Sequence, residues 1–129
     1  MAIHIEAQLK SDNYTTVLTT PDGKQWLADE SVEKGGRDAG PSPQELLASA
    51  LASCTSITLK MYLNHKAWLH GAIRVNVDFL TGAPSSFITR IFIEGEFTDE
   101  QKNRLIHVAK ACPVHKALQG DIHLTTELV

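Results

Sequence analysis

The stretch SPQELLASALASCTSITLKMYL, residues 42–63, decides the fold of this 129-residue chain. Its apolar residues recur every three or four positions, a spacing that predicts an amphipathic helix. Ser42 can cap the helix, Pro43 suits its first position, and Glu45 can close a capping box. The helix is expected to end near Leu63 and to carry a cysteine in the middle of its buried face. That predicted face consists of Leu46, Leu47, Ala50, Leu51, Cys54, Ile57 and Met61.

Strand patterns lie on both sides of this helix. Those before it are separated by turns and predict a three-stranded antiparallel meander, and those after it are joined by TGAPSS and predict a hairpin. The glycine-rich segment 29–42 has no hydrophobic period, so it is expected to be a mobile loop. The five strands are expected at residues 2–9, 14–20, 24–28, 73–79 and 87–93.

The C-terminal third predicts two further helices and a strand. Thr98 begins a capping-box pattern, and the helix that follows should end near Ala111. Pro113 cannot continue that helix without losing a hydrogen bond, so residues 113–119 are expected to form a short helix with Cys112 as its N-cap. Residues 122–128 alternate and predict a last strand. The order of elements indicates an α+β protein with helices and sheet in separate layers.

Composition restricts the classes of function. A chain of this length fits a single domain, residues 1–129. Its net charge is -3, from 12 basic and 15 acidic residues, and it has no basic run of the kind that binds nucleic acid. The N-terminus lacks the apolar core of a signal peptide, and no window is expected to reach the roughly 18 apolar residues of a membrane span. We therefore expect a cytoplasmic protein with neither a nucleic-acid nor a membrane partner.

The two cysteines are the candidate reactive groups. Burial within the long helix should raise the pKa of Cys54, so its ionisation requires a nearby cation, for which Arg37, Lys60 and His115 are the candidates. Cys112, at a helix N-cap, has the setting that favours a thiolate. As a pair they could serve as an attacking thiol and a second thiol that condenses with it.

Other interpretations of the same residues remain open at this stage. Both cysteines could be buried structural residues, since cysteine is common in protein cores. Cys112 and His115 form half of a zinc-type spacing, but no second pair at metal spacing occurs, and no metal is expected. Glu45 at a helix start is more often a capping residue than a catalytic one, and Arg37 in a charged loop is more often solvated.

Two segments together resemble the signature regions of the osmotically inducible protein C and organic hydroperoxide resistance (OsmC/Ohr) family. They are GGRDAGPSPQELLASALASCTSITL, residues 35–59, and ACPVHKAL, residues 111–118. The resemblance implies an OsmC-like α+β fold, with an antiparallel sheet and a long central helix, assembled as an intertwined homodimer. It also implies a thiol-dependent peroxidase that reduces organic hydroperoxides in oxidative-stress defence.

The resemblance also implies roles for individual residues. Cys54 matches the peroxidatic cysteine and Cys112 the resolving one, and an external dithiol, lipoyl-type in the best-known branch, reduces their disulfide without any bound cofactor. Arg37 and Glu45 are the candidates for the family's catalytic arginine and glutamate. The glutamate position itself, ten residues before the cysteine, holds Gln44, which favours the broader OsmC-like branch. The alternative function is a non-catalytic OsmC-like dimer that binds a small apolar ligand or senses redox state.

Overall fold

The computed structural model describes residues 2–129 and has the predicted order of three strands, a long helix, a hairpin and two helices. It divides into two compact units, one extending to Leu47 and the other Ala48–Val129, which are described separately. A one-turn 3-10 helix, Val32–Lys34, lies in the loop before the long helix. The main elements are β1 (Glu6–Leu9), β2 (Thr16–Thr19), β3 (Gln25–Ala28), α1 (Pro43–Lys66), β4 (Ile73–Leu80), β5 (Ser86–Ile93), α2 (Asp99–Lys110) and α3 (Pro113–Gln119).

The N-terminal unit contains the predicted antiparallel meander. β1 pairs with β2 from Glu6 opposite Thr19, and β2 pairs with β3 from Thr16 opposite Ala28. β1 is shorter than the predicted strand of residues 2–9, because only its last four residues have ladder partners in β2. Ile3 lies outside the sheet and is 83% exposed, so alternation alone overestimated the length of this strand.

The loop after β3 is organised around the carboxylate of Asp29, which is 2% exposed. Burial opposes ionisation of this group, but the hydrogen bonds it accepts outweigh that effect and hold its pKa below the usual value. The loop backbone also turns tightly, since a Cβ at Gly36 would lie 2.1 Å from the carbonyl oxygen of Glu30. The sequence predicted a mobile loop here and did not identify Asp29 as the residue that organises it. Its donors are the Thr15 hydroxyl and the backbone N–H groups of Glu30, Arg37 and Ala39.

The C-terminal unit packs the β4–β5 hairpin against α1 and α2. The hairpin runs in register from Ile73 opposite Ile93 to Leu80 opposite Ser86, and its side chains alternate between partly buried and exposed. This confirms the predicted hairpin, in which the odd-numbered residues of both strands face the core. The residues at the centre of that core are Leu59, Leu63, Leu105, Val108 and Ala109.

The face of α1 that packs within this chain differs from the predicted one. The buried residues are Leu51, Thr55, Leu59 and Leu63, which recur every four positions. Of the predicted face only Leu51 is buried, whereas Ile57 and Met61 are 54% and 67% exposed. The helix therefore has two apolar faces, and periodicity could not distinguish the one that contacts α2 and the hairpin from the one that this chain leaves uncovered.

The length and composition of α1 would allow it to cross a membrane, contrary to the sequence expectation. It has 24 residues and contains an 18-residue window of mean hydropathy 1.4, of which 22% is buried within the chain. One such helix is weak evidence for a membrane span, because the core helix of a soluble protein has the same length and composition. The high mean hydropathy of this window agrees with an α1 that is apolar on both faces.

The predicted C-terminal strand is wrong for this chain. Residues 121–129 form no strand, and Ile122, Leu124 and Leu128 are 56%, 89% and 101% exposed. An alternating segment becomes a strand only when a neighbouring edge accepts its backbone hydrogen bonds. Within residues 2–129 the two sheets are complete as a three-stranded meander and a two-stranded hairpin, and neither one includes this segment.

Candidate functional site

The N-cap of α3 fixes the position of Cys112. Thr98 and Gln101 form the predicted capping box of α2, which runs to Lys110 and is followed by Pro113 at the start of α3. Cys112 between the two helices has non-helical backbone angles, and its sulfur accepts a hydrogen bond from the His115 backbone N–H at 3.5 Å. Its side chain is 0% exposed. The predicted N-cap is confirmed, and it holds a thiol in the interior.

Cys54 lies in the middle of α1, at the border between its two apolar faces, and is half-buried. Cys112, the Val114 backbone N–H and Thr58 lie close enough to its thiol to influence its pKa. Both cysteines are free thiols. The fold therefore brings together the two cysteines that the sequence separates by most of the C-terminal unit.

The pKa values of these two thiols shift in opposite directions. Burial is the main influence on Cys54 and raises its pKa, and the neighbouring Cys112 raises it further. Burial also opposes ionisation of Cys112, but the neighbouring Cys54, the hydrogen bond from the His115 backbone N–H, and nearby Val114 and Thr55 outweigh it and lower the pKa. The expectation from the sequence, that Cys112 is the easier thiolate, agrees with this arrangement.

Two threonines of α1 belong to the site, and sequence reasoning missed both. Thr58 follows Cys54 by one helical turn and opposes the rise in its pKa, while Thr55 contributes to the lowered pKa of Cys112. Helical spacing could have identified Thr58, since residues four apart are neighbours. No local pattern could have identified Thr55, because its partner Cys112 is distant in sequence.

A groove of about 390 Å³ in the C-terminal unit is lined by residues near the two cysteines in sequence, although not by the cysteines themselves. It reaches the pair through two of its lining residues: Leu51 lies one helical turn before Cys54, and His115 bonds through its backbone to Cys112. The volume falls within the range typical of small-molecule sites. The lining is mixed apolar and polar, and consists of Leu51, Ser85, Ser86, Phe87, Thr89, His115, Leu118 and Gln119.

Arg37 and Glu45 lie in the N-terminal unit, where each has a local partner. Arg37 Nη1 is 2.8 Å from Asp12 Oδ2, and this ion pair raises the pKa of the arginine and lowers that of Asp12. Glu45 Oε1 accepts from the Ser42 backbone N–H at 2.9 Å, while the Ser42 hydroxyl accepts from the Glu45 N–H at 3.1 Å. These bonds confirm the predicted capping box. They also show that Glu45 has a structural use at the start of α1.

Neither of the remaining candidate cations is among the main influences on Cys54. Lys60 Nζ is 3.0 Å from His70 Nε2, and His115 contacts the pair through its backbone. The leading influences on the Cys54 thiol include no Lys, Arg or His side chain. Within the part of the chain that the structure describes, no group of three or more His, Cys, Asp or Glu residues could hold a metal ion. The half-site of Cys112 and His115 therefore has no further ligands there.

A family model described as OsmC-like protein matches residues 35–127. This segment contains both cysteines and covers well over half of the chain, so the chain belongs to the OsmC-like family. A search of curated proteins found no significant match.

Solved structures of low sequence identity share the fold. A Psychrobacter arcticus protein assigned to the osmotic stress and detoxification response superposes with a TM-score of 0.77 at 22% identity, over 95% of this chain and 89% of that one. An OsmC-like protein from Mycoplasma pneumoniae gives 0.70 at 23%, over 93% and 89%. The organic hydroperoxide resistance protein OhrB of Bacillus subtilis gives 0.61 at 17%, over 94% and 93%. The chain therefore has the α+β fold of OsmC-like proteins.

Proposed function

We propose that this OsmC-like protein is a thiol-dependent peroxidase that reduces organic hydroperoxides to alcohols in oxidative-stress defence. The observation that carries the proposal is the proximity of two free thiols, Cys54 and Cys112, each of which shifts the pKa of the other inside one compact unit. Two thiols in contact can form a disulfide and return to the reduced state, which is the requirement for a two-cysteine cycle. The similarity to an organic hydroperoxide resistance protein supports the choice of substrate.

The chemistry begins at Cys54, the more accessible sulfur of the pair. The pKa of Cys54 is raised and that of Cys112 is lowered, so Cys54 loses its proton to a base from solution before it attacks. The Cys54 thiolate attacks the terminal oxygen of the hydroperoxide, the O–O bond breaks, and the alkoxide takes a proton to leave as the alcohol. Cys54 is then a sulfenic acid. The sulfur of Cys112 attacks it, expels hydroxide, which is protonated to water, and forms the disulfide.

The groove beside the pair suits the organic part of such a substrate. Phe87 and Leu118 give it apolar surface, while Thr89 and Gln119 provide hydrogen-bonding groups. Ligand sites commonly combine an apolar lining with a few polar groups that fix orientation. We assign the groove to the alkyl or aryl group of the hydroperoxide, whose peroxide end then points toward Cys54.

The roles of Arg37 and Glu45 as activating cation and its carboxylate partner follow from the family resemblance. Arg37 is 69% exposed at its side chain and is bound to Asp12, so acting as a catalytic cation requires it to exchange this partner. Glu45 already accepts a hydrogen bond from Ser42. The proposal therefore relies on Cys54 and Cys112, and assigns Arg37 and Glu45 a supporting role at most.

The proposed protein works as a cytoplasmic homodimer and is reduced by an external dithiol of lipoyl type, with no bound cofactor. The uncovered apolar face of α1, which we define as Ala50, Ile57 and Met61, supports the dimer, because a second copy would remove it from water. Ile57→Asp is expected to convert the dimer to monomer in sedimentation velocity. A wild-type protein that sediments as a monomer would contradict the dimer.

The test of the enzymatic proposal is intact mass spectrometry of the reduced protein after a small excess of cumene hydroperoxide. The expected product has lost two hydrogens and reacts with no thiol reagent, and each mole consumes one mole of hydroperoxide. Hydrogen peroxide serves as the comparison substrate and should react more slowly, because it has no organic group to occupy the groove. Loss of the protein thiols no faster than that of an unstructured cysteine would overturn the proposal.

A second function is favoured by one observation. The pKa of Cys54 is raised by burial, and no cationic side chain is among its leading influences, so the thiol is less nucleophilic than an activated one. A non-catalytic dimer that binds a small apolar ligand in the groove, or senses redox state through the pair, would have these features. A series of hydroperoxides that gives no turnover above the background of free thiols, together with a dissociable ligand in the groove, would support it.

A further inference from the structure

The groove contains one side chain that can transfer a proton near neutral pH. Among the described residues that line it, His115 is the only titratable one, and the others are apolar or carry a hydroxyl or an amide. Imidazole gives and takes protons between pH 5 and 8, whereas serine, threonine and glutamine side chains form hydrogen bonds without losing a proton there. The departing alkoxide of a hydroperoxide needs a proton, and His115 is the group of the groove that can supply it.

The position of His115 is fixed by its own backbone. The His115 N–H donates to Cys112 Sγ at 3.5 Å, so a residue that lines the groove is bonded directly to one member of the thiol pair. Gln119 follows His115 by four residues in α3 and also lines the groove, so this face of the helix is turned toward it. On α1 the lining residue is Leu51, about one helical turn before Cys54. The groove is therefore bounded by the helical segments next to each sulfur.

The imidazole of His115 is not used by the fold. The residue is half-buried, and its ring has no hydrogen-bond or ion-pair partner among residues 2–129. His70 shows the contrast, because its Nδ1 lies 2.8 Å from the Gly71 carbonyl oxygen and its Nε2 lies 3.0 Å from Lys60 Nζ. Both ring nitrogens of His115 are therefore available to a molecule in the groove.

We infer that His115 is a catalytic residue of this site, whose imidazolium protonates the alkoxide that leaves the hydroperoxide. The inference rests on the proposed function and completes its first step. The Cys54 thiolate forms a bond to the terminal oxygen, the O–O bond breaks, and its electron pair moves to the oxygen that carries the organic group. That oxygen takes the proton of His115 and leaves as the alcohol. The sulfur loses two electrons, the peroxide gains two, and the neutral imidazole regains a proton from solution.

Two oxidants with different leaving groups test this role. Cumene hydroperoxide releases an alkoxide, which needs a proton, whereas 3-chloroperbenzoic acid releases a carboxylate, which needs none. Loss of thiols from the reduced protein is followed by stopped flow. His115→Gln is expected to slow the reaction with cumene hydroperoxide about a hundredfold, the lower end of what general acid catalysis typically contributes, and to leave the reaction with the peracid nearly unchanged. Both reactions use the Cys54 thiolate, so damage to the fold or to that thiolate would slow both.

Gln119→Leu is the matched control. It changes the same face of α3 and removes a polar group from the groove, but its amide has no proton to transfer near neutral pH. The rate constants for the two oxidants should therefore change by the same factor. A His115→Gln protein that keeps the wild-type ratio of the two rate constants would overturn the inference. A Gln119→Leu protein whose ratio shifts as much as that of His115→Gln would also contradict it.

The wild-type protein gives a readout that needs no variant. The ratio of the rate constant for cumene hydroperoxide to that for the peracid should fall in deuterium oxide, because only the first reaction includes proton transfer to the leaving group. Equal isotope effects on the two reactions would count against His115. Wild-type protein that reacts with cumene hydroperoxide no faster than free cysteine overturns the peroxidase proposal and this inference with it. A fast wild-type reaction that His115→Gln leaves intact overturns the inference alone.

Discussion

The middle of α1 and the first turn of α3 place the same side chain in two different settings. Cys54 is half-buried and burial raises its pKa, whereas Cys112 is inaccessible, accepts a hydrogen bond from the His115 backbone N–H and has a lowered pKa. Nucleophilic attack requires access, and stabilising a thiolate requires donors. In the proposed mechanism, this difference assigns the attack to one sulfur and the stabilised thiolate to the other.

Substituting each cysteine in turn should produce the largest difference, which is in the reaction with hydroperoxide. Cys54→Ser is expected to abolish hydroperoxide consumption with a dithiol reductant, because the attacking sulfur is lost. Cys112→Ser should still react once and then accumulate a sulfenic acid, since no second thiol can condense with it. Peroxide assays and intact mass measure these outcomes. A Cys54→Ser protein that retains full turnover would eliminate the proposed division of roles.

The two faces of α1 should differ in their contribution to stability. Leu59→Ala, one turn beyond Thr55 and 0% exposed, is expected to lower the free energy of unfolding by about 3 kcal/mol through the lost contacts and the cavity left behind. Met61→Ala on the uncovered face should cost under about 1 kcal/mol when measured on monomeric protein. Urea unfolding of both variants in the Ile57→Asp background makes the comparison, and equal losses would contradict it.

Loss of the N-cap at Cys112 should destabilise the protein less than Leu59→Ala does. Cys112→Ala removes both the cap acceptor and buried volume, and should cost about 1 to 2 kcal/mol. Cys112→Ser should cost less, because its oxygen can still accept from the His115 backbone N–H. Cys54→Ala has no capping bond to lose and should fall below the Cys112→Ala value. Thermal unfolding of the three variants ranks them, and a Cys54→Ala protein less stable than Cys112→Ala would contradict the assignment.

The pH dependence of stability should show the smallest difference between the two cysteines, which titrate in opposite senses. The folded-state pKa of Cys112 is lowered, so its ionisation adds stability above the unfolded-state pKa, and this contribution is lost as pH falls through the folded-state pKa. The pKa of Cys54 is raised, so its contribution is present below the unfolded-state pKa and disappears as pH rises through the folded-state pKa. Ultraviolet titration should find the earlier thiolate missing in Cys112→Ser and shifted upward in Cys54→Ala. An unshifted first step in Cys54→Ala would disprove the coupling.

The local sequence was sufficient to predict most elements because their signals are short in range. The Ser42–Glu45 and Thr98–Gln101 capping boxes, the hairpin alternation and the proline after Cys112 each act within one turn of backbone. The predicted C-terminal strand failed for the opposite reason. Its pairing partner is not local, and no edge in residues 2–129 accepts it.

The candidate site was predictable in part. The two cysteines and the acidity of Cys112 follow from their residue types and from the N-cap. Thr55 and Asp29 were missed, because a threonine in a helix and an aspartate in a loop carry no signal until their distant partners are known. The predicted buried face of α1 was wrong because both of its faces are apolar.

The sequence by itself determined where α1 begins, where α3 is capped and which two side chains could take part in redox chemistry, because helix caps, proline and cysteine act through their own covalent structure. Only the tertiary structure decided that Cys54 and Cys112 are neighbours, which of them is accessible and which has the lower pKa. These properties depend on how α1, α2 and α3 pack, because packing brings together residues that are distant in sequence.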